Sequence, residues 1–98
     1  MIPRPDATDD DIKQIEMDIR VALYERLERH GYGIFISPHE ILGILTEEHT
    51  ELIGAVQSND NDHVRKELID VAVGALFGLV SMQYIGIHGE PSDRIQTQ

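Results

Sequence analysis

The chain has 98 residues, 41% of them apolar, and a formal charge of −10 from 18 acids against 8 bases. That length holds one small domain, 1–98, and the apolar share excludes a disordered chain. The absence of cysteine excludes disulfides, thiol catalysis and cysteine-ligated metal sites, and the acidic balance speaks against any nucleic-acid partner held by a basic surface.

The opening MIPRPDATDDD carries two prolines and four aspartates and does not read as a signal peptide. Residues 1–8 and 85–98 are expected to be loose ends. Thr8 is a candidate cap for a first helix, with Asp9, Asp10 and Asp11 at the positive end of its dipole. Ile12, Ile15, Ile19, Leu23 and Leu27 then recur at steps of three and four, and Gly31 is a stop. Gly31 to Ser37 reads as an ordered loop, because no second strand is available to pair with it.

A second helix starts at Ser37-Pro38-His39-Glu40, a capping box with proline in the first turn, and runs to about Gln57. Ser58-Asn59-Asp60-Asn61 is a turn. A third helix follows from about Asp62 to about Tyr84, with Gly86, Gly89 and Pro91 ending regular structure. Its stretch Val71–Val80 is apolar all round, and a monomer has too few elements to bury such a helix. A subunit interface is therefore expected there, with Gly74 and Gly78 allowing close helix approach. The run falls short of the roughly 20 residues a membrane helix needs, so no membrane partner is expected. The expected fold is all-α: an antiparallel helix hairpin plus an N-terminal helix, completing a four-helix-type bundle by forming a homodimer or homotetramer.

The chemistry lies in the hairpin. Glu48 and Glu51 are three apart on the second helix, and Glu67 and Asp70 are three apart on the third. Residues three apart share a helix face, about 5–6 Å between Cβ atoms. About a turn centred on Asn59, Glu51 and Glu67 are equidistant, and so are Glu48 and Asp70. The two pairs then lie level. Glu48 also falls in register with Ile41, Leu45, Leu52 and Ala55, the inward stripe. Four carboxylates brought together repel at low dielectric, so either their pKa values rise or a cation joins them. Oxygen-only ligation suits Mg²⁺ or Mn²⁺, and no Glu has a His three residues on, as di-iron bundles require. Mg²⁺ commonly bridges to substrate phosphates.

Glu47-Glu48-x-x-Glu51, fifteen residues, then Glu67-x-x-Asp70 resembles the signature of the MazG-like all-α nucleoside triphosphate pyrophosphohydrolases. The resemblance covers about Gly31 to Met82. It implies Mg²⁺ on Glu48, Glu51, Glu67 and Asp70, and attack of water on the α-phosphorus of a nucleoside triphosphate. The products are a nucleoside monophosphate and pyrophosphate, and the implied role is house-cleaning in the cytoplasm. Catalytic roles fall on Glu48 and on Glu47, which points about 100° away from Glu48 around the helix. Many relatives carry a tryptophan near the first loop; this chain has none.

Other residues carry a bland reading beside a sharper one. Arg65 and Lys66 stand next to Glu67 and are candidates for substrate phosphate, against a surface role. Tyr32 and Phe35 are candidates to stack on a base, against plugging the core. Arg26 and Arg29 read as complements to the helix dipole, and the five histidines as surface or cap residues. The competing function is a non-catalytic helical interaction module with a residual metal site. A narrower one is a related enzyme acting on a phosphoribosyl nucleotide.

Overall fold

The computed structural model describes residues 2–88. Three helices follow in order: α1 Asp9–His30, α2 Pro38–Gln57 and α3 Asn61–His88. No strand occurs among the described residues. The described residues form an all-α fold, as the apolar periodicity predicts.

Each helix start has a local cause. The Thr8 N–H donates to the Asp11 carboxylate at 3.1 Å, and the Asp11 N–H donates to Thr8 Oγ1 at 3.1 Å. This reciprocal box satisfies two of the orphan donors of a first turn. At α2, the Glu40 N–H donates to Ser37 Oγ at 3.2 Å. The Glu40 carboxylate reaches past the cap and accepts from the Ile36 N–H at 2.9 Å. At α3, Asp60 Oδ1 accepts from the His63 N–H at 3.2 Å. Asn59 takes φ +59°, a left-handed turn geometry that asparagine tolerates better than most residues. α1 ends at Gly31, with φ +85° and its N–H donated to the Leu27 carbonyl at 2.7 Å.

α3 runs past Gly86 to His88, so a single glycine does not stop it. A glycine costs only about 1 kcal/mol within a helix. Gly89 and Pro91, also expected as stops, lie outside the described residues, as does 89–98 of the expected loose end; its first part, 85–88, is instead the last turn of α3, where Ile85 is buried.

α3 is the shared element. α2 packs along it as the antiparallel arm of a hairpin, and α1 packs on it in its own sense. Asp18 of α1 meets Arg65 near the start of α3 at 2.8 Å, whereas Phe35, just beyond α1, meets Phe77 further along. Leu27, Ala55, Val73 and Ile85 are the buried aliphatic residues. Gly74 and Gly78 face α2. A Cβ on Gly78 would stand 3.0 Å from Ile41 Cγ2, and one on Gly74 would stand 3.3 Å from Leu45 Cδ2. The close approach that these glycines permit is therefore made within the chain. Leu79, from the same run, is 72% exposed and faces outward.

The ten-residue run understates α3. Apolar residues continue on both sides of it, and the stretch Asn61–Ile85 is long and apolar enough to cross a membrane by length and composition. Core helices of soluble proteins pass the same test. Only 28% of its most apolar window is buried within this chain.

One polar group holds the loop to α3. Ser81 is fully buried, accepts from the Phe35 N–H at 3.0 Å and donates to the Phe77 carbonyl at 2.9 Å. The Phe35 and Phe77 rings meet edge to face, with centroids 5.3 Å apart. Ser81→Ala removes the acceptor and leaves the Phe35 N–H unpaired. It should destabilise the fold by about 1–3 kcal/mol, read from the urea midpoint.

Candidate metal centre

α2 presents Ile41 and Leu45 to Gly78 and Gly74 of α3, Ala55 further along it is buried, and Glu48 falls on the same stripe. Glu51 lies one turn on, toward the rim. α3 presents Glu67 and Asp70 on the facing side. The hairpin turn sets the two helices in register, so one oxygen from each of Glu48, Glu51, Glu67 and Asp70 falls within 4.8 Å of the others. The four lie at graded depth. Glu67 is 3% exposed, Glu48 and Asp70 are half-buried, and Glu51 is open to solvent.

The electrostatics follow from that crowding. The Glu48 carboxyl is pushed above the usual glutamate range, first by burial and then by the charges of Asp70, Glu51 and Glu67; Arg26 opposes the shift. Glu51 is also pushed up, first by its hydrogen bond to Glu67 and then by the Glu67 charge. Neighbouring side chains face the group, and the charges of Lys66 and Arg26 offset part of the repulsion. Lys66 Nζ lies 3.2 Å from Asp70 and 3.6 Å from Glu67, and its own pKa rises in response. His63 Nε2 is 3.2 Å from Glu67 Oε1. Arg26 reaches across from α1 to Glu48 at 3.9 Å.

These contacts leave two oxygens without a partner. Glu48 Oε2 and Glu67 Oε2 are buried and accept no hydrogen bond. An unpaired buried carboxylate oxygen is costly. Two of them in one group of four, with an oxygen-only donor set, fit a hard divalent cation.

The remaining expected residues are placed less centrally. Glu47 is exposed and stands outside the group of four. Arg65 is tied to Asp18, and Lys66 is engaged with the carboxylates themselves. Tyr32 is exposed on the loop. Phe35 packs on Phe77 as a core plug. Two contacts were not anticipated. His63 pairs with Glu67 at the four-residue spacing typical of helix pairs, a signal that the sequence does contain. Arg26 carries no such signal, because its partner belongs to another helix.

The raised carboxyls reverse the usual response to acid. Between the ordinary glutamate value and the raised native values, the folded chain binds more protons than the unfolded chain. Stability without metal therefore falls as pH rises through that window and increases on mild acidification. The Asp11 carboxyl, held low by its hydrogen bonds to Thr8, contributes in the opposite sense and only at lower pH. Without divalent metal, Tm should rise as pH is lowered from neutral toward the ordinary glutamate value, and Mg²⁺ should flatten that slope. Glu48→Gln should raise Tm without metal and abolish the response to Mg²⁺, as scanning calorimetry would show.

The family model for the MazG nucleotide pyrophosphohydrolase domain matches residues 36–85, which take in all of α2 and most of α3. No curated protein and no solved structure matches the chain. The match covers half of the chain and contains all four clustered carboxylates, and the chain belongs to the MazG nucleotide pyrophosphohydrolase family.

Proposed function

We propose that the protein is a Mg²⁺-dependent pyrophosphohydrolase that cleaves a nucleoside or deoxynucleoside triphosphate to the monophosphate and pyrophosphate. One observation carries the reading: four carboxylates converge on a single point of the hairpin, with two buried oxygens left unpartnered. Glu48, Glu51, Glu67 and Asp70 are assigned as the residues that hold Mg²⁺, with Mn²⁺ as the other hard cation that suits them. A cation bound there supplies charge neutralisation for the phosphates and a water of lowered pKa.

The chain's own residues do the rest. The helix hairpin fixes the four ligands before substrate arrives, so little reorganisation is needed at the moment of reaction. Glu47 lies beside the ligands and faces solvent, a position suited to orienting water and accepting its proton. The water oxygen bonds to the α-phosphorus, and the bond from that phosphorus to the bridging oxygen breaks. Pyrophosphate leaves. House-cleaning of non-standard or excess nucleotides in the cytoplasm is the role assigned, since the substrate pool is there. Pyrophosphate release from a panel of nucleotides with Mg²⁺ tests the reading. Glu51→Gln and Asp70→Asn should each lower the rate by about 100-fold or more. Wild type without activity or metal-dependent nucleotide binding would favour the interaction-module alternative.

The same domain, 1–98, is assigned as one subunit of a homodimer or homotetramer that completes the bundle. Large apolar side chains exposed along α1, such as Ile12, Met17 and Val21, and Leu79 on α3 support this. Leu79→Asp tests the interface without entering the core, because Leu79 makes little of its contact within the chain. Light scattering should show a smaller species with unchanged helicity; an unchanged assembly would refute this interface.

A further inference from the structure

A cleft of about 600 Å³ opens between α1 and α3, and Glu48 and Asp70 form part of its wall. Arg26 and Arg29 line it from α1, and Arg65 and Lys66 line it from α3. These are four of the eight basic residues in a chain with 18 acids. Acids and bases are balanced in this lining, whereas acids exceed bases more than twofold in the chain as a whole. Once a cation neutralises Glu48 and Asp70, the lining becomes net positive.

The four bases are not equally available. Arg65 is bound to Asp18 at 2.8 Å, and Lys66 is bound to Asp70 at 3.2 Å. Arg26 holds Glu48 only loosely, at 3.9 Å. Arg29 makes no ion pair or hydrogen bond with any described residue. Arg26 and Arg29 are three apart and share one face of α1. Both lie outside the family-matched residues 36–85. A dipole role explains Arg29 in the last turn, but it does not explain why Arg26, a turn earlier, reaches to the carboxylates.

We infer that Arg26 and Arg29 hold the β- and γ-phosphates of the nucleotide in the α1–α3 cleft while its α-phosphate lies at the carboxylate group. The inference rests on the pyrophosphohydrolase reading of that group. Guanidinium groups bind phosphate through paired charge-assisted hydrogen bonds, and Arg26 is freed when a cation takes over the charge of Glu48. α1 is then part of the substrate site as well as a support for α3, and the outer phosphates are recognised within one chain.

Calorimetry with inorganic tripolyphosphate and with inorganic phosphate, both with Mg²⁺, separates this from a structural role, and neither probe carries a base. Arg29→Ala and the pair Arg26→Ala with Arg29→Ala should weaken tripolyphosphate binding by about tenfold or more. Binding of single phosphate should be unchanged. Arg20→Ala, on the same helix but outside the cleft, should alter neither. Circular dichroism checks that the variants keep their helix content. Wild type that releases pyrophosphate from nucleotides but binds tripolyphosphate no more tightly than the double variant overturns this inference alone. Wild type that binds neither probe and releases no pyrophosphate overturns the functional reading with it.

Discussion

Four carboxylates with oxygens within 4.8 Å of one another are a standing electrostatic cost, and the hairpin exists in a form that maintains it. Coulomb repulsion at that spacing is about 1 kcal/mol per pair in water and several times more in a partly buried site. The chain reduces the cost locally. Lys66 faces Asp70 and Glu67, His63 faces Glu67 and Arg26 faces Glu48, and the carboxyls of Glu48 and Glu51 are pushed up. None of the three neighbouring side chains hydrogen-bonds Glu48 Oε2 or Glu67 Oε2. A cation at that point would offset the charge of all four at once and give both buried oxygens a partner.

Holding that group requires two helices to stay in register, and α3 supplies the means. Gly74 and Gly78 let α2 approach so closely that a Cβ at either position would crowd Ile41 or Leu45. The same two positions lie one and two turns beyond Asp70. The tight contact therefore stands next to the carboxylate group, and a slip of one turn would separate Glu48 from Asp70 and Glu51 from Glu67. The price of serving two neighbours is an outer face left apolar, with Leu68 and Leu79 exposed. The site and the uncovered surface are two consequences of one helix.

Much of this was legible because it is local. The caps at Thr8 and Ser37, the stop at Gly31 and the turn at Asn59 depend on residues within four positions of one another. Counting outward from the turn placed Glu48 opposite Asp70 because α-helices have a fixed rise. What was not legible depends on distant pairs. Ser81 meets Phe35 across 46 residues, and nothing around either residue announces it. The two glycines were read as a surface for a partner chain, because a run that is apolar all round does not say which face its own hairpin takes. Gly86 was read as a stop, yet a favourable helix on its N-terminal side carries through one glycine.

α1 shows how position changes the meaning of a charge. In sequence, Arg26 and Arg29 are basic residues near a helix C-terminus, where a cation is worth a few tenths to one kcal/mol. Packing α1 beside α3 in the same sense carries them to the rim of the carboxylate group, where their positive charge acts on Glu48 and on whatever enters the cleft. A chain with net charge −10 repels a polyphosphate at long range. A polyphosphate in the cleft would be held by short-range cations, whose field survives screening over a few ångströms but not across the molecule. Half of the basic residues line this one cleft, and they place that field beside the carboxylate group.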